Sequence, residues 1–337
     1  MPRMRAVQVA APGGDWQVVE REIPEPGAGQ VRVKVEACGV CHSDVVVKEG
    51  LFPGLQYPRI PGHEVAGCVD ALSPNAGNWQ KGQRVGVGWH GGQCFRCEPC
   101  RRGDFILCQF ERITGVSHDG GYAEYMIAPA ESLAAMPDDL RAAEAAPLLC
   151  AGITTFNALR NAGARPGDTV AIQGIGGLGH LAIQFANRMG FRTVAIGRGK
   201  DKDPLARKLG AHLYVDGAVD PAGQLKQLGG AKVILATAPD SKSIAALAEG
   251  LAPSGKLLIV AVPNEAVTLS VLPLVIGRRS FQGWPSGTAM DSEDTLRFSV
   301  MSGVRPMIEQ FPLDRAGEAF SRMMKGDVRF RAVLTMK

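Results

Sequence analysis

The sequence predicts an α/β protein of two domains, one mostly β and one doubly wound around a parallel sheet. Three observations predict it. The chain has 337 residues, enough for two domains at roughly 100–200 residues each. Residues 1–140 read as strands joined by Gly- and Pro-containing turns. From Thr169 onward, β-prone runs alternate with helical ones, the pattern of a parallel sheet covered by helices.

The elements follow in order. Val31, Val33 and Val35 alternate with Arg32, Lys34 and Glu36, which is a half-buried strand. Residues 64–72, 84–89 and 121–128 read the same way. Residues 141–162 are alanine-rich and helical, ending near Gly163. Then come strand 169–173, helix 178–189, strand 192–196, a short helix 205–209, strand 232–236, helix 243–251 and strand 256–262. After Pro285 the mixed pattern returns. The expected domains are therefore 1–150 with 285–337, and 151–284.

Hydrophobic residues make up 45% and charged residues 21%, which excludes a disordered chain. The net charge is +4, from 37 Lys+Arg against 33 Asp+Glu. That balance is too weak for a nucleic-acid footprint, and no nucleic-acid partner is expected. No apolar run is expected to reach the roughly 18 residues of a membrane span, and Met1–Arg5 leads directly into a strand pattern without a signal-peptide core. A soluble, cytoplasmic protein is expected, with no membrane partner. In that compartment eight cysteines point to metal or catalysis rather than disulfides.

Cys94, Cys97, Cys100 and Cys108 lie within fifteen residues, with Gly91, Gly92, Pro99 and Gly103 for tight turns. Four thiols so spaced can wrap one tetrahedral zinc. A Cys₄ set leaves no ligand position open, so that zinc would be structural. Cys41, His63 and Cys150 are far apart in sequence. Each alone reads better as a buried thiol or a satisfied polar group than as a ligand.

Gly174-Ile175-Gly176-Gly177-Leu178-Gly179 follows strand 169–173 and opens a helix. In that context G-x-G-x-x-G is a Rossmann dinucleotide fingerprint. Gly174 makes the turn, Gly176 lets the backbone approach a pyrophosphate, and Gly179 lets the helix pack on the strand. The next strand ends at Ile196, and Gly197 stands where a carboxylate would grip a ribose 2′-hydroxyl. Arg198, Lys200 and Lys202 follow and would suit a 2′-phosphate. NADP(H) is therefore favoured, with NAD(H) possible.

Cys38-Gly39-Val40-Cys41-His42-Ser43-Asp44, Pro61-Gly62-His63-Glu64, the Cys₄ spacing and the glycine fingerprint occur here in one order along nearly the whole chain. Together they resemble the zinc-dependent alcohol dehydrogenase family of the medium-chain dehydrogenase/reductases. The resemblance implies a GroES-like catalytic domain and a Rossmann cofactor domain. It implies two zinc ions per chain, with Cys41, His63 and Cys150 holding a catalytic one whose fourth position stays open. It implies that Asp44 holds the imidazole of His63, that Glu64 can approach the metal, and that Ser43 begins a proton relay. Thr154, Val260 and Val262 would lie near the nicotinamide, and Arg331 at the pyrophosphate, with His42 as a further phosphate contact. Phe52 and Trp89 would line the substrate pocket.

One position departs from the family. Many members place a histidine five residues after the first zinc cysteine, where this chain has Val46. The proton is then expected to leave through cofactor ribose and water or through His42. The expected activity is hydride transfer between a nicotinamide and a primary alcohol or aldehyde, in a homodimer or homotetramer. The alternatives are a polyol or sugar dehydrogenase on the same fold, and a zinc-stabilised binding protein without catalysis.

Overall fold

The fold comes from a computed structural model that describes residues 2–336. It divides into two compact units, residues 1–153 with 286–337, and 154–285.

The first unit is built on a seven-stranded sheet. Its path runs Ile308–Pro312, Arg331–Thr335, Gln30–Val40, Val65–Leu72, Arg84–Val87 and Leu133–Ala135, and Tyr125–Pro129 also pairs with Gln30–Val40. Gln30–Val40 is central because its Val31, Val33 and Val35 are all buried, and from Ala37 to Val40 every side chain is buried. Such a strand needs cover on both faces. The hairpin Arg3–Val9 and Trp16–Glu22 adds Met4, Ala6 and Val7 to this core. Each fully buried valine contributes about 1.5–3 kcal/mol.

The alanine-rich stretch is not one uniform helix. It runs as Ala142–Pro147, a π-helical turn Leu148–Gly152, and Ile153–Arg160. Pro147 has no N–H to donate, so the regular ladder is broken just where the wide turn begins. The joined run of 19 residues is apolar enough to cross a membrane by length and composition. Its apolar window is 78% buried in the protein, as in a core helix.

The second unit is a six-stranded, wholly parallel sheet in the order Leu213–Asp216, Arg192–Gly197, Thr169–Gln173, Ala231–Ala236, Leu251–Ile259 and Ser280–Gly283. The chain starts in the middle, builds outward one way, then returns and builds the other way. The reversal falls between Thr169–Gln173 and Ala231–Ala236, where doubly wound sheets bind ligands at their carboxyl ends. Leu213–Asp216 and Ser280–Gly283 were not expected from the sequence. Each has four residues, too few to show a period. The strand expected over 256–262 instead ends at Ile259, and Val262 is 87% exposed ahead of Pro263.

Candidate metal centre and cofactor cavity

Strand register brings the first site together. Cys38 pairs with Val65, and the Gly39 N–H donates to the Glu64 carbonyl at 2.9 Å. Cys41, three residues beyond Cys38, therefore lies beside His63 and Glu64, which precede Val65. On the other side Val40 pairs with Ala332, which brings in Arg331. Cys150 arrives from the π-helical turn. Gly86 and Gly88 let that turn approach, because a Cβ on Gly88 would sit 2.7 Å from the Leu149 carbonyl oxygen.

Ligand atoms of Cys41, His63, Glu64 and Cys150 all lie within 4.8 Å of one another. The Cys41 and Cys150 sulfurs are 3.8 Å apart. Two thiolates on one tetrahedral zinc, each with a Zn–S bond of about 2.3 Å, stand about 3.8 Å apart. A disulfide would need about 2.05 Å. His63 is 2% exposed, and its Nε2 is buried without a hydrogen-bond partner. Such an orphaned atom is costly unless a ligand meets it. The donor set therefore fits zinc.

Asp44 sets the orientation of that imidazole. It is 2% exposed. Its Oδ1 lies 3.2 Å from His63 Nδ1, and its Oδ2 accepts the Cys41 backbone N–H at 2.9 Å. With the proton held on Nδ1, Nε2 is left bare for a metal. Cys41 is lowered well below the usual thiol range, first by the hydrogen bond with Cys150 and also by His63. Cys150, as the partner keeping the proton, is raised well above it.

Glu64 is fully buried, and burial pushes its carboxyl up to about 7 against the pull of Arg331. Its Oε1 accepts from Arg331 Nη2, while its Oε2 has no partner. Arg331 was expected at a pyrophosphate. In the structure it is 4% exposed and bonded to Glu64 and to the Val40 carbonyl. The reason is the register that carries it to the end of the central strand, among carboxylate and thiols.

Ser43 is half-buried in the 3₁₀ turn His42–Asp44, and His42 is exposed. Trp89 meets the His63 ring edge-on, with centroids 4.9 Å apart. It packs with Val46, Val47, Leu55, Tyr57, Ile113 and Val116. Val46 thus belongs to an apolar wall. Phe52 is 38% exposed and lies outside this cluster.

The Cys94, Cys97, Cys100 and Cys108 sulfurs also lie within 4.8 Å of one another. The Cys94–Cys100 and Cys97–Cys108 separations are both 3.9 Å, again the spacing of thiolates sharing zinc. Backbone N–H groups of Cys94 and Phe110 point at Cys108 Sγ, and that of Cys97 at Cys94 Sγ. Such donors favour thiolates. Cys94 is lowered to about 6, chiefly by backbone N–H donors, and burial pushes Cys100 up to about 12.

In the second unit, a cavity of about 560 Å³ opens at the reversal point of the sheet. Gln173, Gly174 and Gly176 line one side, and Thr237, Ala238 and Asp240 another. A Cβ on Gly176 would meet nothing, so the turn is open toward a ligand. A Cβ on Gly179 would lie 1.9 Å from the Gly174 carbonyl oxygen, so only glycine lets helix Gly179–Arg188 start there. Gly177 and Leu178 complete the half-buried turn.

Gly197, Arg198 and Lys202 line the cavity, whereas Lys200 is exposed and not among its lining residues. Arg198 is 80% exposed and pairs with Asp240 at 3.1 Å. A Cβ on Gly197 would stand 2.6 Å from the Tyr214 hydroxyl, so a carboxylate there would have to displace that phenol. Thr154 is buried at 9% exposure, and Val260 follows the strand end, its N–H bonded to Ala236.

The sequence reading missed three groups. Tyr122 donates to Asp44 at 2.8 Å. Thr237 and Asp240 line the cavity, and Asp240 caps helix Ser241–Leu247. The strand-then-Asp-Ser run at 236–241 was a legible cap signal. Tyr122 follows Gly120-Gly121, a sign of close approach and no more.

Comparison with known proteins agrees with this geometry. Residues 27–138 match the alcohol dehydrogenase GroES-like domain, and residues 177–300 match the zinc-binding dehydrogenase family. The chain is 47% identical over 326 residues to alcohol dehydrogenase patD of Penicillium expansum, covering 96% of this chain and 95% of that one. It is 33% identical to the aldehyde reductase AdhA of Synechocystis sp., covering 98% of each. A solved NAD-dependent alcohol dehydrogenase superposes with a TM-score of 0.92 at 30% identity, covering 99% of this chain and 100% of that one. The chain belongs to the zinc-type alcohol dehydrogenase family of the medium-chain dehydrogenase/reductases.

Proposed function

We propose that this protein is an alcohol dehydrogenase or aldehyde reductase that interconverts primary alcohols and aldehydes, with two zinc ions per chain and a nicotinamide cofactor. The observation that carries the reading is the convergence of buried Cys41 and His63 with half-buried Cys150, where His63 Nε2 has no hydrogen-bond partner. When bound, zinc supplies a Lewis acid that favours the deprotonated alcohol, and the nicotinamide takes up or returns the hydride.

The chain's own residues do the rest. Cys41, His63 and Cys150 would hold the catalytic zinc, and the two thiolates would balance its charge. Asp44 keeps the proton on His63 Nδ1. Ser43 Oγ accepts the alcohol proton and returns it in the reverse direction. Trp89 and its apolar neighbours exclude water beside His63. Val46 offers no proton acceptor, so His42, exposed in the same 3₁₀ turn as Ser43, would carry the proton onward. Cys94, Cys97, Cys100 and Cys108 would hold a structural zinc.

Unit 2 would bind the dinucleotide at Gly174–Gly179, and unit 1 would carry the chemistry. NADP(H) is the favoured cofactor, with NAD(H) accepted. Arg198 and Lys202 support it, since the Arg198–Asp240 pair is exposed and weakly held. Trp89 beside His63 favours flat, unbranched substrates over bulky secondary alcohols. A homodimer or homotetramer in the cytoplasm, where the eight cysteines stay reduced and six of them can hold zinc, completes the reading.

The test is oxidation of NADPH and NADH with short aliphatic and aromatic aldehydes, alongside zinc content. Aldehyde-dependent turnover with about two zinc ions per chain is expected. One zinc and no turnover would favour a binding protein that kept the fold. Turnover confined to polyols or sugars would overturn the substrate class.

A further inference from the structure

We propose that Tyr122 is a positioning residue for the metal site, acting through Asp44 on His63. The inference rests on the reading that His63 ligates zinc.

Tyr122 is a fully buried side chain, and its hydroxyl donates to Asp44 Oδ2 at 2.8 Å. The Cys41 backbone N–H donates to the same oxygen at 2.9 Å. A carboxylate held by only one donor can turn about its last bond. Two donors on Oδ2 fix its plane, so that Oδ1 presents a lone pair to His63 Nδ1, 3.2 Å away. That contact fixes both the tautomer and the ring direction of the ligand.

Tyr122 also grips the segment that carries His63. Its backbone N–H donates to the Pro61 carbonyl at 3.0 Å, and the Gly121 N–H to the Gly62 carbonyl at 2.9 Å. Its ring lies against Gly62. A Cβ there would stand 2.4 Å from the ring and 2.8 Å from Cys38 Sγ, and Gly62 has a φ of +100°. Glycine immediately before His63 is thus required twice, by backbone conformation and by the phenol ring. One residue therefore touches two of the three segments that form the site, at Gly62 with its ring and at Asp44 with its hydroxyl. Trp16 packs near the phenol ring, with ring centroids 5.9 Å apart. Burial, with Asp44 adjacent, pushes the phenol well above its ordinary value, so the hydroxyl stays a donor. The Tyr122 group needs no contact with substrate to act. It orders a group that orders a ligand.

The test compares Tyr122→Phe with wild type by metal release rather than turnover. Zinc transfer to a chelator is followed at fixed pH, and the absorption spectrum of the cobalt-substituted protein is recorded. Tyr122→Phe is expected to release one zinc about tenfold faster and to shift the cobalt bands. Release from the Cys₄ set, an internal reference in the same molecule, should not change. Trp16→Phe loosens packing around the ring but keeps the hydroxyl, and should release zinc as wild type does. Equal release rates and spectra in Tyr122→Phe and wild type would overturn the proposal, as would equal acceleration in Trp16→Phe. Wild type lacking a second zinc would sink the zinc reading itself, and the proposal with it.

Discussion

Replacing Asp44 by asparagine changes one oxygen into an amine at a site that is 2% exposed. The carboxylate now meets three donors: His63 Nδ1 at 3.2 Å, the Cys41 N–H at 2.9 Å and the Tyr122 hydroxyl at 2.8 Å. An amide has only one accepting end. If its amine turns toward His63, Nδ1 must give up its proton, and that proton moves to Nε2, the atom zinc needs bare. If its amine turns toward Cys41, the backbone N–H loses its acceptor at a cost of about 1–3 kcal/mol. The bond to His63 also loses its charge assistance, roughly half its strength. Both geometries weaken metal binding, and about 10–100-fold in zinc affinity is expected. Competition with a chelator, read at constant pH against the Cys₄ zinc of the same molecule, measures it. An asparagine variant that holds zinc as tightly as wild type would refute the reasoning.

Three further outcomes follow from other parts of the molecule. Cys100→Ala removes a buried thiol from the Cys₄ lobe; it should cost one zinc per chain and lower Tm by several degrees while the Cys41 site keeps its metal, and unchanged Tm and zinc content would count against a structural ion. Arg198→Ala should raise the KM for NADPH about fivefold, the worth of an exposed charge pair of about 1 kcal/mol, and leave NADH little changed; an unaltered NADPH/NADH ratio would place the 2′-site elsewhere. His118 is held down to about 4 by burial, with Arg112 and Arg59 adding to it. Its folded pKa lies below its unfolded one, so its contribution is complete above pH 6.5 and lost as pH falls toward 4, at most about 3 kcal/mol. His118→Gln should flatten the fall of Tm across that range, and parallel profiles for variant and wild type would exclude the effect.

The sequence carried much of the site because the relevant signals are local. The Cys₄ spacing and the strand–glycine–helix run each declare their chemistry within a few residues. Cys41, His63 and Cys150 needed the family resemblance, since their convergence depends on strand register and on a π-helical turn that no local pattern announces. Arg331 shows a similar limit. Its contact with Glu64 depends on the antiparallel pairing of Ala332 with Val40, which no local pattern announces. Tyr122 was illegible for a similar reason: its hydroxyl works across 78 residues of sequence. The sequence shows a glycine at 197 in place of an acid, yet only the fold shows the Tyr214 hydroxyl beside it.

The central claim is that Cys41, His63 and Cys150 hold a zinc on which turnover depends. Elemental analysis of Cys41→Ala beside wild type, with aldehyde reduction measured on the same samples, tests it most directly. About two zinc ions in wild type are expected, and one in a folded variant with no turnover. A variant that keeps both ions, or that reduces aldehydes as wild type does, would contradict the account.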